Sequence, residues 1–257
     1  MDLFEKIEQA KINLTEVVLK TPLQLNTNLS EKYQAAIYLK REDLQKVRSY
    51  KIRGAYNKIS HLNAAQKTKG IVCASAGNHA QGVAYSCQLL QIQGKIYMPK
   101  TTPKQKIKQV QLFGKSFVEI VLTGDTFDDA FYAAKLFSNE NQLEFIHPFD
   151  DVEVIAGQGT VGLEILSEKV SKIDYLLLPI GGGGLAAGVS TVFKKLSPKT
   201  KIIGVEPEGA PSMQQAIYLE QPVLLDKIDR FVDGAAVKKV GKQTYEVCKD
   251  TLDKIIL

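Results

Sequence analysis

The stretch Ile71-Val72-Cys73-Ala74-Ser75-Ala76-Gly77-Asn78-His79-Ala80-Gln81-Gly82 decides how this chain is read. Its first three residues are a short apolar run rich in β-branched side chains, the pattern of a buried strand. A turn of small residues follows, and from Asn78 the pattern predicts a helix. Strand, tight turn and helix form the repeating unit of α/β folds, whose ligand contacts gather at the carboxyl ends of the strands. Backbone N–H groups at such a helix start attract anions, and Ser75 adds a hydroxyl, so Ser75, Ala76 and Gly77 form a candidate cradle for an amino-acid carboxylate. Asn78 has two readings: an ordinary cap of the turn, or a donor to a phenolic oxygen on a bound ring, stabilising its ionised form. His79 reads either as a group approaching a ligand or as a hydrogen-bonded structural histidine.

The same alternation runs outward in both directions. Ile37 to Leu39 precedes a helix from Tyr50, and Lys95 to Met98 precedes one from Pro103. Beyond them, Phe117 to Val121, Leu143 to Ile146, Tyr175 to Leu178 and Lys201 to Val205 read as strands, as does Lys254 to Leu257. Asp125 to Ser138, Val152 to Lys169 and Leu185 to Leu196 read as helices. The chain is therefore expected to be α/β, with mainly parallel, twisted sheets covered by helices. Pro148 interrupts regular structure in His147-Pro148-Phe149-Asp150, and Asp150 or Asp151 is suited to cap the next helix. A division into two lobes with a cleft between them is expected there.

Two further stretches carry chemistry. In Ser49-Tyr50-Lys51-Ile52-Arg53-Gly54-Ala55, Ser49 is placed to cap a helix whose apolar face holds Ile52, Ala55, Tyr56 and Ile59, so Lys51 falls in the first turn. The positive end of the helix dipole and partial desolvation both disfavour its ammonium form, leaving more of the neutral amine that imine chemistry needs. A lysine taken alone is most simply a solvated surface group. The run from Leu176 to Gly188 is a buried strand, a loop of Gly181, Gly182, Gly183 and Gly184, and a helix start at Leu185. Successive glycines let the backbone approach a phosphate and aim several N–H groups at it, where a plain flexible turn would gain nothing for its entropic cost. The lysine, the Asn-bearing turn and the glycine loop together describe a pyridoxal phosphate site.

Composition narrows the field. The 257 residues are 44% apolar and 24% charged, ordinary values for a soluble globular protein. No apolar run approaches the ~18 residues of a membrane span, and the first residues lack the basic-then-apolar order of a secretory signal, so a cytoplasmic protein without membrane contacts is expected. Cys73, Cys87 and Cys248 are odd in number and widely spaced, as reduced structural thiols are. The net charge of +5 is too mild for a nucleic-acid partner. Lys100, Lys104, Lys106, Lys108 and Lys115 read as a solvated face without the aromatic platform that stacks bases. Gly157-Gln158-Gly159-Thr160-Val161-Gly162 matches a dinucleotide fingerprint but lies within a helical pattern. The Gly114-Lys115-Ser116 stretch has Gln109 where a nucleotide P-loop needs glycine. With only His61, His79 and His147 and no G-x-S-x-G elbow, histidine-rich metal sites and a serine hydrolase are excluded.

These motifs, in this order and with Gly204-Val205-Glu206-Pro207-Glu208-Gly209-Ala210 after them, resemble the threonine dehydratase group of the fold-type-II, tryptophan-synthase β-like pyridoxal phosphate enzymes. The resemblance spans essentially the whole chain. It implies pyridoxal 5'-phosphate bound as a Schiff base to Lys51 with Tyr50 beside it, and Asn78 on the ring hydroxyl. The phosphate would lie against Gly181, Gly182, Gly183, Gly184 and Leu185, and Ser75, Ala76, Gly77 and His79 would face the substrate. Residues 48–147 would form a smaller substrate lobe, and 1–47 with 148–257 a larger phosphate-binding lobe. The implied reaction converts L-threonine, or L-serine, to 2-oxobutanoate, or pyruvate, and ammonia, with Lys51 taking the Cα proton, as in isoleucine biosynthesis. A homo-oligomer is expected.

The rival resemblance, to serine racemase, calls for a second-face serine base where this chain has Ala76. Its cation site is matched by Glu206 and Ala210 but not by Ser212, so no metal is expected. Two more readings compete: β-replacement chemistry on the same scaffold, and an inactive protein that binds the cofactor or another anion. In the family a neutral Ser, Thr or Cys contacts the pyridine nitrogen from a segment that would follow Leu257. The chain therefore reads as a catalytic region truncated at its C-terminal end and without a regulatory domain, with poor solubility or tight association expected.

Overall fold

The apolar runs singled out in the sequence become short strands, and the stretches with helical spacing become helices laid against them. The computed structural model describes residues 1–168 and 172–257. Helix α1 (Leu3–Asn13) opens on a capping box between Asp2 and Glu5. Strands β1 (Leu23–Leu25) and β2 (Tyr38–Lys40) flank α2 (Thr27–Tyr33), and α3 (Lys51–Ser60) and α4 (Ala64–Lys69) follow. The next unit is β3 (Ile71–Ala74), α5 (Asn78–Leu90), β4 (Gly94–Met98), α6 (Lys104–Gly114), β5 (Val118–Leu122), α7 (Phe127–Glu140) and β6 (Glu144–Phe145). After α8 (Val152–Ser167) come β7 (Tyr175–Pro179), α9 (Gly184–Leu196), β8 (Lys201–Val205), α10 (Ser212–Tyr218), α11 (Lys242–Thr251) and β9 (Lys254–Ile256).

Two larger sheets result, ordered β5-β4-β3-β6 and β7-β8-β9, and every pairing within them is parallel. Strand β3 is buried on both faces: Ile71 and Cys73 face the core built by α3, α5 and α6, while Val72 and Ala74 face α7. A second core forms where Leu176 and Leu178 of β7 meet α9 and α11. The α/β reading therefore holds, with departures in several elements. The expected strand at Ile37 to Leu39 lies at Tyr38–Lys40 and joins neither parallel sheet; it pairs antiparallel with Leu23–Leu25, a run too short to stand out in sequence. Helices α1, α2, α4, α10 and α11 are not among the expected elements, although the capping boxes Asp2–Glu5 of α1 and Asn63–Gln66 of α4 are legible signals. The helix from Val152 runs to Ser167, and the expected end at Lys169 lies outside the described residues.

Helix α8 is the hub between the sheets, buried continuously from Val154 to Gly162. Its three glycines sit where neighbouring helices come closest. A Cβ on Gly157 would lie 2.5 Å from the Arg53 carbonyl of α3, one on Gly159 2.6 Å from Ile7 of α1, and one on Gly162 3.1 Å from Val192 of α9. The G-x-G-x-x-G spacing is thus a packing seam. Against it lies Arg53, fully buried, whose guanidinium donates to Glu42 and to Glu164, each at 2.7 Å. Lys40 reaches the same Glu164 at 2.6 Å, so two cations and two carboxylates balance. Asn57 is buried on the same side, so α3 is not the simple amphipathic helix its spacing predicts. Replacing Arg53 by Leu leaves Glu42 without its cation inside the protein and should cost about 3–5 kcal/mol of unfolding free energy. Urea titration checks this: an unchanged midpoint and slope would show that the cluster does not hold α3 on α8.

Candidate active site

Lys51 is the first residue of α3, but Ser49 does not cap that helix. Tyr50 already has helical φ and ψ (−64°, −13°) and occupies the cap position, so the Ser49 hydroxyl is carried away from the free amides and is buried without a partner. The Lys51 amine donates to the carbonyl oxygen of Pro148 at 2.8 Å and lies 5.5 Å from the centroid of the Tyr50 ring. Among the described residues no carboxylate pairs with it. Burial accordingly lowers its pKa to about 8 from an ordinary 10.5, making the neutral amine accessible near neutrality.

At the turn after β3, the Ser75 hydroxyl accepts from the Gly77 N–H at 3.2 Å, and the Ser75 N–H donates to Tyr97 O on β4 at 3.1 Å. Gly77 takes the cap position of α5, so Asn78 is the first helical residue and not the cap. A Cβ on Gly77 would meet nothing within 4 Å: the turn opens onto free space. Asn78 is exposed there, and its side chain has no hydrogen-bond partner among the described residues. Ala76 packs against the α3–α5 core. His79 is buried, and its Nε2 lies 3.0 Å from Ile146 O. A carbonyl can only accept, so Nε2 carries the proton and Nδ1 is left as an unpartnered acceptor. Burial, with the charge of Lys51 nearby, pushes this imidazole down to about 3, so it stays neutral.

One residue given no role by sequence brings this turn to the lysine. A Cβ on Gly82 would lie 3.0 Å from the backbone of Lys51, so the first turns of α5 rest directly on the start of α3.

The glycine loop joins β7 to α9. The N–H groups of Gly181, Gly182 and Gly183 have no protein acceptor among the described residues. Gly183, with φ of +92°, adopts the left-handed conformation that a side chain would strain. A Cβ on Gly182 would overlap the Phe149 ring, and one on Gly184 would lie 3.1 Å from Phe149 Cα. Leu185 is buried in the core, so only its backbone faces the loop. Unclaimed amides at a helix start, on a loop with no room for side chains, fit a phosphate; a half-buried amine without a counter-ion fits an aldehyde.

The two parts are tied by the strip 147–151, where sequence expects only a boundary. His147 Nδ1 accepts from Asp150 N at 2.7 Å, and burial pushes its pKa down to about 4. Pro148 holds Lys51, and Phe149 lies on the glycine loop. The Asp150 carboxylate accepts from Lys242 and Gln243 N–H groups at 3.0 and 2.8 Å, capping α11, and Asp151 caps α8 through Glu153 N at 2.8 Å. Glu206, matched in sequence to a cation site, instead accepts from the Met213 and Gln214 N–H groups at 2.7 and 2.8 Å. Among the described residues there is no cluster of three metal-ligating side chains, and no helix is long and apolar enough to cross a membrane.

The sequence and the fold are similar to those of known proteins. Residues 14–257 match the family described as pyridoxal-phosphate dependent enzyme. The chain is 56% identical over 253 residues to the L-threonine dehydratase biosynthetic IlvA of Halalkalibacterium halodurans, covering 98% of this chain and 61% of that protein. Its fold is similar to the processed form of threonine deaminase isoform 2 from Solanum lycopersicum, with a TM-score of 0.94, 44% identity, and coverage of 99% of this chain and 74% of that one. Maize serine racemase is also similar, with a TM-score of 0.92, 32% identity, and coverage of 98% and 75%. The chain spans about 60% of the length of the curated relatives it matches. A family match over nearly every residue, on a fold that sets a lysine with a lowered pKa and a loop of unclaimed glycine amides on one strip of chain, makes this protein a member of the pyridoxal-phosphate dependent enzymes.

Proposed function

We propose that this chain holds pyridoxal 5'-phosphate at Lys51 and serves the dehydration and deamination of L-threonine to 2-oxobutanoate and ammonia, with L-serine as a secondary substrate. The carrying observation is the Lys51 amine, half-buried without a carboxylate partner and directed by a backbone carbonyl, on the strip that also touches the glycine loop. When bound, the cofactor supplies an electron sink that acidifies the substrate Cα–H. Everything else falls to the chain. The amides of Gly181, Gly182, Gly183, Gly184 and Leu185, at the positive end of α9, hold the phosphate. Asn78, with its amide free, donates to the ring oxygen. The Ser75, Ala76 and Gly77 turn receives the substrate carboxylate, and neutral His79 sits behind it without adding charge. Lys51 takes the Cα proton as a neutral amine, and the Pro148 carbonyl keeps that amine oriented. Tyr50 shields it from water.

Ala76 favours elimination over racemisation, because a methyl group cannot deliver a proton to the second face of the substrate. The names of the relatives support threonine as the substrate. We further place residues 48–147 in a substrate-side lobe and 1–47 with 148–257 in a phosphate-side lobe, in a cytoplasmic homo-oligomer.

The purified chain incubated with the cofactor should turn yellow, and borohydride should fix a pyridoxyl group on Lys51, located by peptide mass spectrometry. Lys51→Ala should abolish both the label and 2-oxobutanoate release, by on the order of a thousandfold or more. Labelling elsewhere on the chain would sink the assignment, and accumulation of D-serine would move the chain to the racemases. Because burial lowers the Lys51 pKa, the labelling rate should rise with pH to half its maximum near pH 8. A midpoint above pH 10 would mean that the amine is solvated.

A further inference from the structure

We propose that Thr244, on α11, is a positioning residue for phosphate recognition: its hydroxyl turns the glycine loop so that the Gly183 N–H faces the phosphate. The inference rests on the reading that this loop holds the phosphate, and assigns part of that task to a residue outside it. Thr244 is fully buried, and its Oγ1 lies 2.7 Å from Gly182 O and 3.1 Å from Gly241 O. One hydroxyl has one proton to give. Gly241 O already accepts from Tyr245 N at 3.0 Å, whereas among the described residues the only backbone donor near Gly182 O is Gly241 N at 3.5 Å, so the Thr244 proton belongs to Gly182.

In a trans peptide the carbonyl of one residue and the N–H of the next point in opposite directions. Holding Gly182 O against α11 therefore directs the Gly183 N–H away from α11. The next peptide is fixed in the same sense: Gly183 O accepts from Ala187 N at 2.8 Å and faces the Cys248 thiol at 3.9 Å, which turns the Gly184 N–H away as well. Gly183 can follow only because it lacks a side chain; a Cβ there would lie 2.8 Å from Thr244 Cβ. Thr244 is itself held, since the Asp150 carboxylate accepts from the first N–H groups of α11, including that of Thr244 at 3.3 Å. Asp150 is two residues from Pro148, which receives the Lys51 amine. The phosphate end and the aldehyde end of the cofactor are thus set by one continuous set of contacts.

The test compares two aldehydes, pyridoxal 5'-phosphate and phosphate-free pyridoxal, titrated against the wild-type chain and against Thr244→Val, which keeps the shape and removes the donor. Absorbance gives both affinities, and thermal melting monitors the fold. We expect Thr244→Val to lose about tenfold in affinity for the phosphorylated aldehyde, the scale of one net hydrogen bond, while pyridoxal binding stays within about twofold. Thr244→Ser should restore the wild-type preference. An unchanged preference in Thr244→Val, or an equal loss for both aldehydes, overturns the role of Thr244. A wild-type chain that binds the two aldehydes equally overturns the loop reading itself, and this inference with it. Should Thr244→Val not fold, Thr244→Ala carries the same comparison. Hydrogen exchange on the wild-type chain gives a reading without mutation: adding the phosphorylated aldehyde should slow exchange at residues 241–248 together with the loop, and slowing in the loop alone overturns the proposal.

Discussion

The hydrogen bond from the Lys51 amine to the Pro148 carbonyl is the contact on which the arrangement depends. A backbone carbonyl offers this half-buried lysine direction without charge. A carboxylate in its place would have stabilised the ammonium ion and kept the amine protonated. The neutral acceptor leaves desolvation unopposed, so the amine is both oriented and easily deprotonated. The flanking residues add the rest of the frame. Phe149 lies on the glycine loop, Asp150 caps α11, and Asp151 caps α8, so five consecutive residues fix four separate pieces of the site.

Helix α8 performs the same service at a larger scale. Its small residues bring α1, α3 and α9 close enough that the helix carrying Lys51 and the helix following the glycine loop are held against a common surface. Buried charge then locks one side of that surface through Arg53, Glu42 and Glu164. The net effect is a first turn of α3 with little freedom, as an amine that must meet a particular carbon requires.

The parts of the site that depend on backbone chemistry are legible in the sequence. The strand-turn-helix at 71–82, the glycine loop at 181–184 and the position of Lys51 in a first turn all follow from small residues and spacing, and the structure places them as expected. What sequence misses depends on dihedral angles or distant partners. Serine favours the cap position, yet the helical conformation of Tyr50 moves the cap of α3 one residue beyond Ser49. Asparagine favours it as well, but Gly77 takes that place ahead of Asn78. Nothing local marks Arg53 as buried, since its carboxylate partners lie 11 and 111 residues away. Thr244 is invisible for the same reason, being 62 residues from the carbonyl it holds.

The three-sided packing of α8 also bears on how the molecule assembles. Its neighbours α1 and α3 lie far earlier in the chain and α9 follows it across β7, so no growing segment can complete this seam before α9 is in place. Contacts of such long sequence separation must wait for large loops to close, which slows folding and leaves an apolar helix unshielded meanwhile. The small unit spanning β3 to β6 has short connections and its own core, and can consolidate first. The pocket for the lysine would then be among the last features to take shape, which makes ligand capture a report on completed assembly.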